Sequence, residues 1–119
     1  MHPEILAVDA VHNVLAVHKP AGLPVHVAGQ YRKNTVLGHL EAARPDLGAL
    51  HAAHRLDKNV SGVLLLSGDG AAAEAVRQRI VQGRVEKIYM ARVQGALMRR
   101  LCLIQRHYRH SWMKLCHGA

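Results

Sequence analysis

The apolar residues of this 119-residue chain fall into short runs separated by turn-forming residues. Residues 5–8 and 14–18 are aliphatic or β-branched, and the mainly polar stretch between them predicts a β-hairpin. A third apolar run, residues 63–67, predicts a buried strand that follows a turn at Ser61 and Gly62. Residues 85–93 alternate loosely between apolar and polar positions and predict a further strand.

Two segments have helical spacing instead. Thr35 is a suitable N-cap for a helix over residues 36–44, which Pro45 would end. Asp69 is a suitable N-cap for a second helix over residues 71–82, with Gly83 as its terminator. The residues expected on the buried faces are Val36, Leu37, Leu40 and Ala43 in the first helix, and Ala72, Val76 and Ile80 in the second. With residues 45–53 as a loop, the order of elements predicts an α+β fold with a mixed β-sheet and flanking helices.

The amino-acid composition favours a polyanionic binding partner. The net charge is +8, from 16 Lys and Arg against 8 Asp and Glu. Such a balance favours nucleic acid, since phosphate contacts supply most of the sequence-independent affinity; a basic, solvated surface is the alternative. The length fits one small domain, and with no Phe the core is expected to consist of Ala, Val and Leu, with modest stability.

The cysteines and the N-terminus bear on the compartment. Cys102 and Cys116 do not form a disulfide framework, which favours a reducing, intracellular location in cytoplasm or nucleus. With His107 and His110 they include both usual zinc ligand types, but their spacing matches no familiar zinc finger, so no metal is expected. We see no targeting signal and no apolar run long enough to span a bilayer, and we expect a monomer without a membrane partner.

The stretch H-R-L-D-K-N-V-S-G, residues 54–62, places a lone carboxylate, Asp57, between cations just before the predicted strand. This arrangement suits chemistry on an anionic substrate, because the cations can hold phosphate while the carboxylate acts. The simpler alternative is that Asp57 caps a turn or pairs with Arg55. The loop taken alone leaves both interpretations open.

Two further motifs accompany this loop, in order along the chain. K-P-A-G-L-P-V-H occupies residues 19–26, and V-E-K-I-Y-M-A-R-V-Q-G occupies residues 85–95. The three together resemble the motifs of the RluA-like RNA pseudouridine synthases. The insert at residues 29–36, and Val60 where most members carry Thr, look most like eukaryotic members, particularly plant ones. The resemblance implies that residues 1–95 are a partial catalytic domain, its N-terminal half, and that residues 96–119 are a divergent tail.

The resemblance also implies a reaction, the isomerisation of uridine to pseudouridine in RNA, with transfer RNA favoured over ribosomal RNA and no cofactor required. Asp57 would be the essential carboxylate acting on the ribose of a flipped nucleotide. Arg55 would fill the space left by the flipped nucleotide, with a salt bridge to a nearby carboxylate as the structural alternative. Tyr89 would stack on the uracil, with a half-buried position on a strand as the structural alternative. His54 is expected to make a structural hydrogen bond. The candidate RNA contacts, each with a solvated surface role as its alternative, are Lys19, His26, Arg32, Lys33, Lys58 and Lys87.

Residues 96–119 depart from the family pattern. The family's G-R-x-H-Q-x-R motif, whose arginine pairs with the catalytic carboxylate, has no match there, so we expect little activity from this chain alone. The apolar residues of the tail recur at helical spacing with arginines mostly off the stripe, which predicts a basic amphipathic helix on RNA, a membrane surface or the exposed sheet. A non-catalytic RNA-binding fragment and an inactive truncated product are the alternatives to an active enzyme.

Overall fold

The computed structural model describes residues 2–27, 29 and 33–90. The chain divides into two compact units, residues 1–77 and 78–119, and the second is described only as far as residue 90. The elements are β1 (Glu4–Asp9), β2 (Val14–Lys19), α1 (Val36–Ala43), a single 3₁₀ turn (Pro45–Leu47), β3 (His51–Ala52), β4 (Gly62–Ser67) and α2 (Gly70–Val81).

The four strands form one sheet in the order β1-β2-β4-β3, and all three pairings are antiparallel. The predicted hairpin of β1 and β2 is confirmed, and the Asp9 carboxylate organises its turn by accepting the N–H groups of Val11 and His12 at 3.0 and 3.1 Å. The predicted mixed sheet is wrong for the described residues. Short connections join β1 to β2 and β3 to β4, and such connections allow antiparallel neighbours only.

The core of the first unit is aliphatic, as its composition predicted. In the two central strands Leu15 lies opposite Leu66, and Val17 lies opposite Leu64. The buried cluster consists of Leu15, Val17, Leu23, Val25, Val36, Leu40, Leu50, Leu64 and Leu66. These side chains fix β2 and β4 against each other, and the loops at the ends of the two strands are therefore held on a packed base.

Helix α1 contributes to this core at the predicted positions. Thr35 is its N-cap, and the Thr35 hydroxyl accepts the N–H of Gly38 at 3.0 Å, which satisfies one of the donors left open at a helix start. Val36 and Leu40 are buried and Leu37 packs partly against the cluster, whereas Ala43, predicted on the same face, is exposed.

Helix α2 also follows its predicted limits. The carboxylate of Asp69 accepts the N–H of Ala71 at 3.0 Å. Gly83 ends the last turn with φ 71°, a conformation that favours glycine, and its N–H bonds to the carbonyl of Ile80 at 3.1 Å. The buried side chain is that of Ala73, while the predicted stripe of Ala72, Val76 and Ile80 is only half-buried. No helix in the described ranges is long and apolar enough to cross a membrane.

Two predictions of secondary structure were wrong. Residues 45–53, predicted as a loop, contain the 3₁₀ turn and β3. The sequence did not indicate β3, because a strand of two residues is too short to show any periodicity. Residues 85–90, predicted as part of a strand, have no strand structure. Alternation supplies the side-chain pattern of a strand, but a strand also needs a neighbouring edge to pair with. The predicted helical tail, residues 96–119, lies outside the described residues.

Candidate active site

The loop between β3 and β4, residues 53–61, carries Asp57 with its carboxylate exposed. The carbonyl of Asp57 accepts the N–H of Val60 at 3.0 Å, which closes a turn immediately after the acidic residue. At the start of the loop, Ala53 donates its N–H to the carbonyl of Leu65 on β4 at 3.0 Å. The backbone is therefore held on both sides of Asp57 while the side chain faces solvent.

His54 adds a second attachment between this loop and β4. Its Nε2 accepts the backbone N–H of Leu65 at 3.1 Å, so the predicted structural hydrogen bond is confirmed. Because Nε2 accepts, the neutral imidazole carries its proton on Nδ1. Strand β3 ends at Ala52, and beyond it the backbone of Ala53 bonds the Leu65 carbonyl while the side chain of His54 supplies the acceptor for the Leu65 N–H.

Lys19 occupies a place that the sequence motif did not reveal. It is the last residue of β2 and follows Leu15 and Val17 on the inward face, and it is 0% exposed. Its Nζ donates to the carbonyl of Pro20 at 2.9 Å and to that of Lys58 at 3.0 Å. The phosphate contact predicted for Lys19 stays a prediction, and in this structure the ammonium is buried against two backbone carbonyls instead.

The K-P-x-G segment and the Asp57 loop meet at one backbone oxygen. The carbonyl of Lys58 accepts both the Lys19 ammonium and the N–H of Gly22, the latter at 2.7 Å. Gly22 has φ 86°, a conformation that favours glycine, and this explains why the motif places a glycine three residues after the lysine. Two of the motifs recognised in the sequence are thus parts of one attachment next to Asp57.

The charges of Lys19 and Asp57 act on each other. Burial lowers the pKa of the Lys19 ammonium below its ordinary value, because the charged form loses its hydration. The carboxylate of Asp57 acts in the opposite direction and raises the pKa of Lys19, but this effect is smaller than that of burial. The site therefore combines an exposed carboxylate with a buried cation beneath its loop.

The other predicted site residues of the first unit are exposed wherever the structure describes them. Arg55 is exposed on the same loop and takes no part in an ion pair within the described part of the chain. His26, Lys33 and Lys58 are also exposed, as a phosphate contact requires. Arg32 lies outside the described residues.

Tyr89 and Lys87 belong to the second unit, where both are half-buried. The described residues around them, 85–90, are not in a strand, although the sequence predicted one over residues 85–93. Their roles at the uracil and at phosphate stay predictions.

Sequence reasoning missed the structural role of Lys19 and of the Lys58 carbonyl. The alternation of residues 15, 17 and 19 along β2 was available as a pattern that places Lys19 on the inward face. The part played by a backbone oxygen has no sequence pattern at all. Among the described residues no three ligand side chains converge on a metal position. An open groove of about 850 Å³ beside α1, lined partly by His2, Lys33 and His39, does not include Asp57.

Comparisons with known proteins place these observations in context. A family model described as RNA pseudouridylate synthase matches residues 13–114. RNA pseudouridine synthase 7 of Arabidopsis thaliana is 45% identical over 95 residues, covering 80% of this chain and 24% of that protein. The tRNA pseudouridine(31) synthase of Saccharomyces cerevisiae is 39% identical over 83 residues, covering 70% of this chain and 20% of that protein. Relatives named as ribosomal large subunit pseudouridine synthases match as well.

A solved structure extends the similarity to the fold. The structure of human RNA pseudouridylate synthase domain containing 4 superposes with a TM-score of 0.53 at 34% sequence identity. The match covers 68% of this chain and 30% of the human chain. The chain spans about a quarter or less of the length of the two curated relatives whose coverage is given above.

Proposed function

The chain belongs to the RNA pseudouridylate synthase family, and from this premise we propose that the protein isomerises uridine to pseudouridine in RNA, with Asp57 as the essential carboxylate. The observation that supports Asp57 most directly is its position on the loop of residues 53–61. The carboxylate is exposed there, and the backbone of its turn is tied down at Asp57, Lys58 and Val60. A catalytic group must be held in a fixed orientation while it remains accessible to substrate.

Two chemical routes use such a carboxylate. In one, an oxygen of Asp57 attacks C1′ of the ribose and the C1′–N1 bond breaks, which releases the base as an anion. In the other, Asp57 removes the proton from C2′ and the same C1′–N1 bond breaks by elimination. In both routes the base rotates and rejoins C1′ through C5. In the first route this displaces the Asp57 carboxylate from C1′, and in the second C2′ takes back the proton that Asp57 removed. The C5 proton is then lost and N1 gains one.

The substrate follows from charge and from the relatives. The net charge of +8 suits a polyanion, and the exposed side chains of His26, Lys33 and Lys58 are suited to phosphate. Since one relative is named as a tRNA synthase, we propose transfer RNA in preference to ribosomal RNA. In this proposal Arg55 fills the space left by the flipped uridine, and Tyr89 stacks on the uracil.

The test is product formation by the purified chain. Release of tritium from RNA transcripts labelled at C5 of uridine reports the loss of the C5 proton that both routes require. We expect weak turnover of the transfer RNA transcript, abolished by Asp57→Asn, which removes the charge and keeps the shape. The matched control is Asp69→Asn, since an asparagine oxygen can cap α2 as the aspartate does.

The other outcomes have definite meanings. Turnover that survives Asp57→Asn would assign catalysis to another residue. Salt-sensitive RNA binding without tritium release would support the alternative of a non-catalytic RNA-binding fragment. A chain that neither binds RNA nor unfolds cooperatively would support the alternative of an inactive truncated product. Faster turnover of ribosomal RNA transcripts would reverse the proposed choice of substrate.

A further inference from the structure

We propose that Lys19 is a positioning residue for Asp57: its buried ammonium fastens the 53–61 loop to the end of β2 and places a positive charge at the backbone of the residue after Asp57. The inference rests on the proposed function only for the catalytic role of Asp57. The attachment itself follows from contacts between described residues. Lys19 lies 39 positions before Lys58, so the attachment is a tertiary contact and not a local turn.

Lys19 is buried although it is charged. Among the described residues, the buried polar or charged side chains are those of Lys19, Thr35 and Ser67, and only Lys19 is charged. Lysine is almost never fully buried unless its charge is compensated, because loss of hydration disfavours the ammonium form. A fully buried lysine at the end of a central strand therefore requires a specific compensating environment.

Two backbone carbonyls and one carboxylate compensate the buried charge of Lys19. The carbonyls of Pro20 and Lys58 accept two of the three N–H groups of the ammonium. Carbonyl oxygens carry only partial negative charge, so they satisfy donors without neutralising the cation. The full negative charge that acts on Lys19 is that of Asp57, the residue adjacent to Lys58.

The contacts of Lys19 also hold the backbone next to Asp57. The Lys58 carbonyl receives the Lys19 ammonium and the Gly22 N–H together, so the peptide unit between Lys58 and Asn59, one residue beyond Asp57, is held by two donors from the β2 end. This fixes the backbone direction on the C-terminal side of Asp57. The turn closed by Val60 fixes the same stretch from within the loop. Lys19 thereby links the rigid sheet to the orientation of the acidic side chain.

The test compares Lys19→Met, which removes the charge at similar length, with Lys19→Arg and with Lys33→Met. The last variant makes the same replacement at an exposed lysine outside the loop. Amide hydrogen exchange is measured at Gly22, whose N–H bonds to the Lys58 carbonyl. We expect exchange at Gly22 to be at least about tenfold faster in Lys19→Met than in Lys33→Met, which corresponds to about 1.4 kcal/mol. Lys19→Arg should recover part of the protection. Equal exchange in the two Met variants would overturn the attachment.

A second measurement separates charge pairing from a purely structural role and does not require a foldable Lys19 variant. The titration of Lys19 is followed by NMR of its ε-methylene group in the wild-type chain and in Asp57→Asn. Because the Asp57 carboxylate raises the pKa of Lys19, its neutralisation is expected to move the Lys19 midpoint to lower pH. An unchanged midpoint would overturn the pairing. Neither measurement uses RNA, so absence of pseudouridine formation would refute the proposed function and leave these results standing.

Discussion

The hydrogen bond from Leu65 to His54 offers a sharp test of how the Asp57 loop is attached to the sheet. His54→Ala removes the Nε2 acceptor and leaves the backbone N–H of Leu65 on β4 without it. A buried donor that loses its partner costs about 1–3 kcal/mol. Leu65 is half-buried, so water can replace part of the lost bond, and we expect the lower part of that range, about 1–2 kcal/mol.

This loss is large for a unit of this size. For a domain of 60–100 residues each 1 kcal/mol shifts the melting temperature by about 4–8 °C, so His54→Ala is expected to melt about 4–16 °C lower. Urea unfolding followed by circular dichroism gives the free energy, and an unchanged m-value shows that the native and unfolded states remain comparable. Amide exchange at Leu65 should accelerate in the same variant.

Two further variants control this experiment. His51→Ala removes an exposed histidine from β3, three residues earlier, and is expected to change stability by no more than about 0.5 kcal/mol. His54→Gln keeps a side-chain carbonyl oxygen as acceptor and is expected to restore part of the stability. If His54→Ala proved as harmless as His51→Ala, the loop would not depend on this bond, and the reasoning about its rigidity would fail.

Two other predictions concern the base on which the loop rests. Leu64→Ala, at a side chain with 0% exposure on β4, should lower the free energy of unfolding by about 2–5 kcal/mol, whereas Val63→Ala next to it, 54% exposed, should cost less than about 1 kcal/mol; equal losses in urea unfolding would show that the core lies elsewhere. Because Lys19 is buried, the free energy of unfolding is expected to depend on pH. Burial lowers the pKa of Lys19 in the folded chain below its ordinary value of 10.5. Just below pH 10.5, therefore, Lys19 binds more protons in the unfolded chain than in the folded chain. The stability of the wild-type chain relative to Lys19→Met should therefore rise with pH through that interval, and a flat or falling difference between the two urea titrations would contradict the assignment.

The predictions that succeeded were those that depend on near neighbours in the chain. The hairpin, the Thr35 cap of α1, the Asp69 cap of α2 and its Gly83 terminator each involve residues within a few positions of one another. Each rests on backbone angles or on a hydrogen bond inside one turn, and these scarcely depend on the rest of the fold. The predictions that failed needed information from elsewhere in the chain. Residues 85–90 have alternating polarity but no strand structure.

The predictions about the candidate site also separate into those that depend on local sequence and those that depend on distant contacts. Motif order was sufficient to single out Asp57 and to indicate the family to which the chain belongs. The loop position of Asp57 also followed from the turn residues and the apolar run after them. For Lys19 the alternation along β2 indicated the inward face, but its partner, the carbonyl of Lys58, lies 39 residues away and has no sequence pattern.

The amino-acid sequence by itself determined the local elements, the aliphatic character of the core and the family. All of these depend on composition, on spacing or on turns of a few residues. Only the tertiary structure decided that the sheet is antiparallel among the described residues, that His54 completes the ladder of β4, and that Lys19 is buried against the carbonyl of Lys58. The physical reason is distance along the chain: a contact across 39 residues forms only when packing brings both ends together, and a backbone oxygen is the same group in every residue.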